Sequence, residues 1–360
     1  MIFLILSLTL EEFINQIKKH YQLSFYNKQI NALNISKWNL ITNSNLMFEY
    51  NSMFENGYIS IGYEISPSIL FEDRGYRNEI NSKIYNFVKE KNEFIFNAIE
   101  DYLEALEIKS EIEIQKRILE NYLKIQNLLE AEHKYSKTHT ISKLILNQSK
   151  IINLKTRLKS LEIDYERYIN KLNFYTKIDS IEDVLEIPKL NSYSIEQAID
   201  YKAMEYELNS NKNYLKASYL KFLPSIKPSI LRRTDNTYGF MLSFSIPIYP
   251  LNEIRKNKEE SESKENYLNS LKDFLETKFY EIEKDYERYV LEYENYKKQK
   301  EELEKTLNSI LSDYKFSNEM SLVEYYELLN EILSLELEIR KAKYRATLKV
   351  FELNSYFEKL

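Results

Sequence analysis

Between residues 286 and 353, apolar side chains recur in alternating steps of three and four. Tyr286, Tyr289, Tyr293, Tyr296, Leu303, Leu307, Ile310 and Tyr314 form one run, broken by Lys300. After a polar interruption, Ile332, Leu335, Ile339, Ala342, Ala346, Val350 and Leu353 resume it. Glu and Lys fill many of the remaining positions, so the pattern predicts a coiled-coil seam. A second pattern, of period two, predicts strands. In 58–66, Ile59, Ile61, Tyr63 and Ile65 alternate with Tyr58, Ser60, Gly62, Glu64 and Ser66; in 46–54, Leu46, Phe48, Tyr50, Ser52 and Phe54 alternate with Met47, Glu49, Asn51 and Met53. Asn56-Gly57 between them is a hairpin turn signal. Phe240, Leu242, Phe244 and Ile246 alternate in the same way with Gly239, Met241, Ser243 and Ser245, and Asp235-Asn236 would turn this strand onto a partner at 225–233. That partner is the least clear strand, because Pro228 cannot donate to a ladder and Arg232 and Arg233 belong near an end.

Chain breakers divide these two kinds of segment. The 4 glycines and 6 prolines all fall within 57–75 and 188–250, leaving 76–187 and 251–360 without either. Ordinary globular domains punctuate such lengths with turns, so these tracts read as long helices. At ~1.5 Å per residue, a helix of about 60 residues extends about 90 Å. Each tract has one polar reversal, Lys134-Tyr-Ser-Lys-Thr-His-Thr-Ile141 and Lys315-Phe-Ser-Asn-Glu-Met-Ser-Leu322, offset by 181 residues. Pro67 and Pro247 each end an alternating segment and lie 180 apart; Leu10-Glu-Glu-Phe-Ile14 resembles Ile195-Glu-Gln-Ala-Ile199 at an offset of 185. The ordered landmarks predict a tandem duplication, 1–187 and 188–360, each unit running helix, hairpin, long helix, reversal, helix. The hairpins lie at about 46–66 and 225–247, and the long helices run to about 178 and 356.

A strand with one apolar and one polar face fits either a sheet packed on its own core or a transmembrane barrel with lipid outside and water inside. The rest of the chain is coiled coil and offers no globular domain to cover the apolar face, which favours lipid. Four strands cannot close a barrel, since open edges in hydrocarbon leave unpaired backbone groups costing several kcal/mol each. Cyclic symmetry would close it, with eight strands from two chains or twelve from three; eight leave a filled interior, twelve leave room for a passage.

Composition narrows the chemistry. With 50 Lys+Arg against 56 Asp+Glu, a net charge of -6 and no cysteine, the chain offers no thiolate site and no basic footprint for nucleic acid. No nucleophile–base spacing or Gly-rich phosphate loop is present, so no enzyme activity, cofactor or metal is expected. His20, His133 and His139 are scattered and read as surface or seam residues. Met1-Ile-Phe-Leu-Ile-Leu-Ser7 looks like the tail of a signal peptide's apolar core without its basic flank, and no cysteine follows it to take a lipid.

The order and spacing of these features resemble the TolC-like outer-membrane efflux protein family. The likeness spans nearly the whole chain and rests on Leu8-Thr-Leu-Glu-Glu12, Leu223-Pro-Ser-Ile226, Ser245-Ile-Pro247 and Ser321-Leu-Val-Glu-Tyr325. It implies a mainly α fold with a small β part: long antiparallel coiled-coil helices forming an α-barrel, and two β-hairpins per protomer completing a trimeric 12-stranded transmembrane β-barrel. It implies a passive conduit from outer membrane through periplasm, assembled as a homotrimer in outer-membrane lipid and coupled through a periplasmic adaptor to an inner-membrane transporter. Aligning Asn318 with the family's second-reversal glycine puts acidic constriction residues at Glu324 and Glu327, which a step of three sets on one helix face. Leu144 stands where the family often has a further acidic residue. The adaptor-docking tips would be Lys137, Thr138, His139, Thr140 and Ile141 with Asn318, Glu319, Met320, Ser321 and Leu322; neither tip has the family's glycine. The competing expectation is a soluble or periplasmic coiled-coil scaffold or adaptor without channel activity.

Overall fold

The structure is a computed structural model that describes residues 7–37, 46–51, 58–63, 66–136, 141–183, 186–245, 251–313 and 321–357. Four helices dominate: α3 (Ile69–Ser136), α4 (Ile141–Tyr175), α6 (Leu251–Asp313) and α7 (Leu322–Ser355). Their lengths follow from the absence of glycine and proline inside α4, α6 and α7; Gly75 lies in the first turns of α3. There a Cβ would meet the Tyr214 ring at 2.9 Å, so glycine allows the neighbouring helix to approach. At 68 residues, α3 extends about 100 Å.

α3 is the spine. Toward the reversals it packs against α4 and α7, with α7 in turn against α6; toward the sheet it packs against α5 (Ile199–Leu220), which also touches α6. Two shorter helices, α1 (Leu10–Ile17) and α2 (Tyr21–Ser36), rest on α3. Where these elements cross, Phe13, Ile17, Leu23, Ile95, Ile99, Leu106 and Leu172 bury around Tyr102. Burying each such side chain stabilises by about 1.5–3 kcal/mol. The Tyr102 hydroxyl lies 2.7 Å from the Leu8 carbonyl and 2.9 Å from that of Glu182. It thereby fastens the short parallel pair β1 (Ser7–Leu8) and β4 (Ser180–Ile181) to the spine.

Ion pairs link neighbouring helices along the wall. Arg157 Nε of α4 meets Glu111 of α3 at 2.8 Å, Lys341 of α7 meets the same carboxylate at 3.2 Å, and Lys349 of α7 reaches Asp285 of α6 at 3.2 Å. Exposed pairs of this kind contribute ~1 kcal/mol or less, whereas Glu111 is buried and its two cations satisfy a charge that would be costly alone; as a ladder the pairs oppose sliding of one helix past the next.

At the other end lies one antiparallel sheet of β2 (Leu46–Asn51), β3 (Tyr58–Tyr63), β5 (Ser225–Arg233) and β6 (Tyr238–Ser245), in the order β2-β3-β5-β6. Both expected hairpins are present. The uncertain strand proves to be the longest: its ladder with β6 runs from Ser225↔Ser245 to Arg232↔Tyr238 through Pro228↔Leu242, whereas its pairing with β3 runs from Gly62↔Ser229 to Tyr58↔Arg233 and stops one residue short of Pro228. The missing donor therefore falls outside that ladder. Asn236, with φ 64°, makes the β5–β6 turn as Asp235-Asn236 foretold. The Asn56-Gly57 turn lies outside the described residues. So do 137–140 and 314–320, but α3 ends at Ser136 and α4 begins at Ile141, while α6 ends at Asp313 and α7 begins at Leu322, bracketing both expected reversals.

Candidate channel surfaces

The sheet carries its apolar residues on the exposed face. Across the strands, Ile61 pairs with Ile230 and Ile230 with Phe240, while Ile226 pairs with Phe244 and Pro228 with Leu242. All but Pro228 in this set are exposed, Ile230 at 64% and Phe240 at 71%. The opposite face is mostly small or polar: Ser60, Ser225 and Ser229 are buried there, Ser60 only 3% exposed, with Leu231 as a buried apolar member. Gly62 sits on that face, where a Cβ would fall 2.7 Å from the Ser229 Cβ. The period-two pattern thus has its tertiary meaning reversed relative to a water-soluble sheet. Ile59, Ile61, Ile226, Ile230, Phe240, Leu242 and Phe244 together forgo roughly 5–12 kcal/mol of burial if the face stays in water, comparable with the roughly 5–15 kcal/mol net stability of a domain. The exposed apolar surface continues onto the adjoining helix ends through Leu70, Tyr219, Phe222, Leu223 and Leu251. Among the described residues no helix is long and apolar enough to cross a membrane.

At the reversal end, Glu324 and Glu327 are both exposed on the first turns of α7. Glu324 has a local task that spacing alone could reveal: Ser321-Leu-Val-Glu324 is a capping box. Its Oε2 accepts from the Ser321 backbone N–H at 2.8 Å and from the Ser321 hydroxyl at 2.9 Å. These bonds, the backbone one foremost, hold its carboxyl below the usual 4.5, so it is anionic at neutral pH. Glu327 lies 3.9 Å from Lys150 of α4, a partner invisible to local sequence reasoning. Of the expected tip residues, Ile141, Ser321 and Leu322 are described and exposed; Lys137, Thr138, His139, Thr140, Asn318, Glu319 and Met320 lie outside the described residues. Leu144 is half-buried. His20 caps α2, its Nδ1 accepting from the Gln22 N–H at 3.3 Å, and its ring packs on Phe94 and Phe174.

Between these ends the wall holds a buried polar layer that the seam pattern did not reveal. Asn121 of α3 donates to Asn330 of α7 at 2.8 Å, and Asn147 of α4 donates to the Tyr122 carbonyl and the Gln126 side chain. The Asn330 amide nitrogen is buried without a hydrogen-bond partner. Buried asparagines in coiled coils fix register at a cost in stability. Beside this layer, Arg117, Asn121, Glu304, Leu307, Ile332 and Glu336 line a cavity of ≈ 420 Å³. The tyrosine run of the seam, Tyr286, Tyr289, Tyr293 and Tyr296, is only half-buried, whereas Ile332, Ala342, Ala346, Val350 and Leu353 on α7 are buried. The difference follows position: α7 packs on both α3 and α6, while α6 packs on α7 toward the reversals and on α5 toward the sheet.

No protein-family model matches the chain, and no curated protein matches it in sequence. Solved structures do. A structure of CusC, described in terms of folding and transmembrane channel formation, matches with a TM-score of 0.73 at 10% identity, over 96% of this chain and 91% of that one. The outer-membrane channel OprN matches with a TM-score of 0.71 at 10% identity, over 98% and 91% of the two chains. The Campylobacter jejuni CmeC outer membrane channel matches with a TM-score of 0.69 at 14% identity, over 97% and 85%. At such identities the fold is what is shared: long paired helices joined to a small antiparallel sheet, as in the TolC-like outer-membrane channels.

Proposed function

We propose that this chain is a subunit of an outer-membrane channel, a passive conduit through the periplasm that a separate inner-membrane transporter energises through a periplasmic adaptor. The observation that carries the reading is the inverted sheet, with isoleucine, leucine and phenylalanine side chains exposed outward and mainly serine and glycine inward, where Leu231 is buried with them. Lipid covers the first face and water the second. The outer strands β2 and β6 of each sheet pair with those of adjacent copies, three chains giving twelve strands. The helices support cyclic closure independently. α5 packs on both α3 and α6, whereas its counterpart in the first repeat, α2, rests on α3 and exposes Tyr21, Phe25 and Ile35. A neighbouring copy's α6, which exposes Tyr267, Phe274 and Tyr280, supplies the missing partner. The two structural repeats divide at 187/188.

In this reading the reversal ends form the inner mouth. Six carboxylates, Glu324 and Glu327 from each of three chains, line the constriction and favour cations. The tips, with exposed Ile141 and Leu322, dock the adaptor. Membrane fractionation tests the proposal: the chain should remain in the outer-membrane fraction after a high-salt wash and need detergent for extraction. Recovery as a monodisperse soluble species without detergent would refute it in favour of a coiled-coil scaffold.

A further inference from the structure

The outward face of the sheet ends in a charge. Along β5 the side chains alternate: Ile226, Pro228, Ile230 and Arg232 share the apolar face, while Ser225, Ser229 and Leu231 are buried on the other. Arg232 is exposed and stands six residues beyond Ile226, or about 20 Å along the strand at ~3.3 Å per residue. It is the last outward-facing residue of β5 before the Asp235-Asn236 turn, so it stands at the rim of the apolar face, where a membrane barrel's outward band gives way to the interface. Its cross-strand neighbour is Tyr238, exposed at 72%, whose ring centroid lies 5.9 Å from the guanidinium carbon. Amphipathic rings occupy that same level at membrane–water interfaces.

The guanidinium is held but not neutralised. Nη2 donates to Asn236 Oδ1 at 2.8 Å, which braces the side chain against its own turn. The nearby carboxylate, Asp235, is engaged by the turn instead, its Oδ1 accepting from Thr237 N–H at 2.9 Å and from the Thr237 hydroxyl at 2.6 Å. Among the described residues Arg232 has no carboxylate partner. A planar fork with donors still free matches phosphate oxygens, and a charge at the rim of an apolar band meets phosphate where the lipid's own headgroups lie.

We propose that Arg232, braced by Asn236 and flanked by Tyr238, is a binding site for the phosphate of an anionic lipid headgroup. The site rests on the membrane reading of the sheet. Arg233 is its internal control: it follows Arg232 in the strand, so its side chain alternates to the polar face, and it pairs with Tyr58 rather than Tyr238.

The test uses the full chain purified in detergent, with bound lipid counted by native mass spectrometry as phosphatidylglycerol or phosphatidylcholine is added. Wild type should bind phosphatidylglycerol more tightly, and Arg232→Gln should weaken that binding about fivefold while leaving phosphatidylcholine unchanged. Arg233→Gln should match wild type, and Arg232→Lys, which keeps the charge, should retain part of the preference. Equal effects of the two glutamine variants, or no effect of either, overturn the site. Displacement of the lipid by millimolar inorganic phosphate overturns it as a lipid site. Binding of neither lipid overturns the membrane reading as well, which separates the two failures.

Discussion

Replacing Ile230 by arginine probes the sheet at its centre, where Ile61 and Phe240 flank it across the strands. The outcome depends on what covers this face. In water, a side chain already 64% exposed can become charged with a change within about 0.5 kcal/mol. In hydrocarbon near the bilayer midplane, an arginine on the lipid face costs about 2–4 kcal/mol, or about 30- to 900-fold in the equilibrium between inserted and unfolded protein. Met241→Arg provides the contrast: its position lies on the polar face, opposite Ser229, where a water-filled interior would accommodate a charge at a cost below ~1 kcal/mol. Urea unfolding of protein inserted in phosphatidylcholine vesicles, followed by fluorescence of the 31 tyrosines, measures both. The expected result is a large loss for Ile230→Arg and a small one for Met241→Arg. Equal stabilities for the two variants, each within 0.5 kcal/mol of wild type, would refute the assignment of lipid to this face.

Three further outcomes follow from the wall and the inner mouth. Glu324→Gln with Glu327→Gln should weaken cation selectivity and block by trivalent metal in planar-bilayer recordings; glutamine can still serve the capping box, so unchanged selectivity would remove these residues from the pore. Asn121→Leu should lower stability by about 1–3 kcal/mol because it strips Asn330 of its donor, whereas adding Asn330→Leu should recover the loss by removing the orphaned amide as well; thermal unfolding of the two variants distinguishes them. Burial pushes the Glu336 carboxyl up, but Lys300, Arg340 and Arg117 outweigh it and hold the group below 4.5. The folded state then gains stability from this ionisation above pH 4.5 and loses it as pH falls through the folded value. The fall in melting temperature below pH 4.5 should accordingly be shallower in Glu336→Gln, which should also start from a lower value at pH 7; parallel curves would disprove the link.

Much of this protein is written locally. Where glycine and proline are absent the helices run to their full length, because nothing interrupts the hydrogen-bond ladder; where apolar and polar residues alternate, the hairpins form, and β3, β5 and β6 show the expected faces. The polar stretches foretell both reversals, which the ends of α3 and α6 and the starts of α4 and α7 bracket, and Asp235-Asn236 fixes the second hairpin's turn. Glu324 shows how one stretch can carry two readings: Ser321-Leu-Val-Glu324 resembles a family motif and is also a helix cap, and the cap needs only a spacing of three.

Other features depend on partners far away in sequence. The seam pattern treats Tyr286 and Val350 alike, yet one is half-buried and the other buried, since Val350 lies on α7, which packs against both α3 and α6. Asn121 and Asn330 meet across 209 residues, and Lys150 reaches Glu327 from another helix. Pro228 argues against a strand until the register with β3 stops one residue before it. Sequence by itself determined what recurs along one element: helix length, strand face and turn position. Only the tertiary structure decided which faces lie against a neighbour and which remain exposed, because burial and charge pairing belong to surfaces brought together by folding rather than to the segment that carries them.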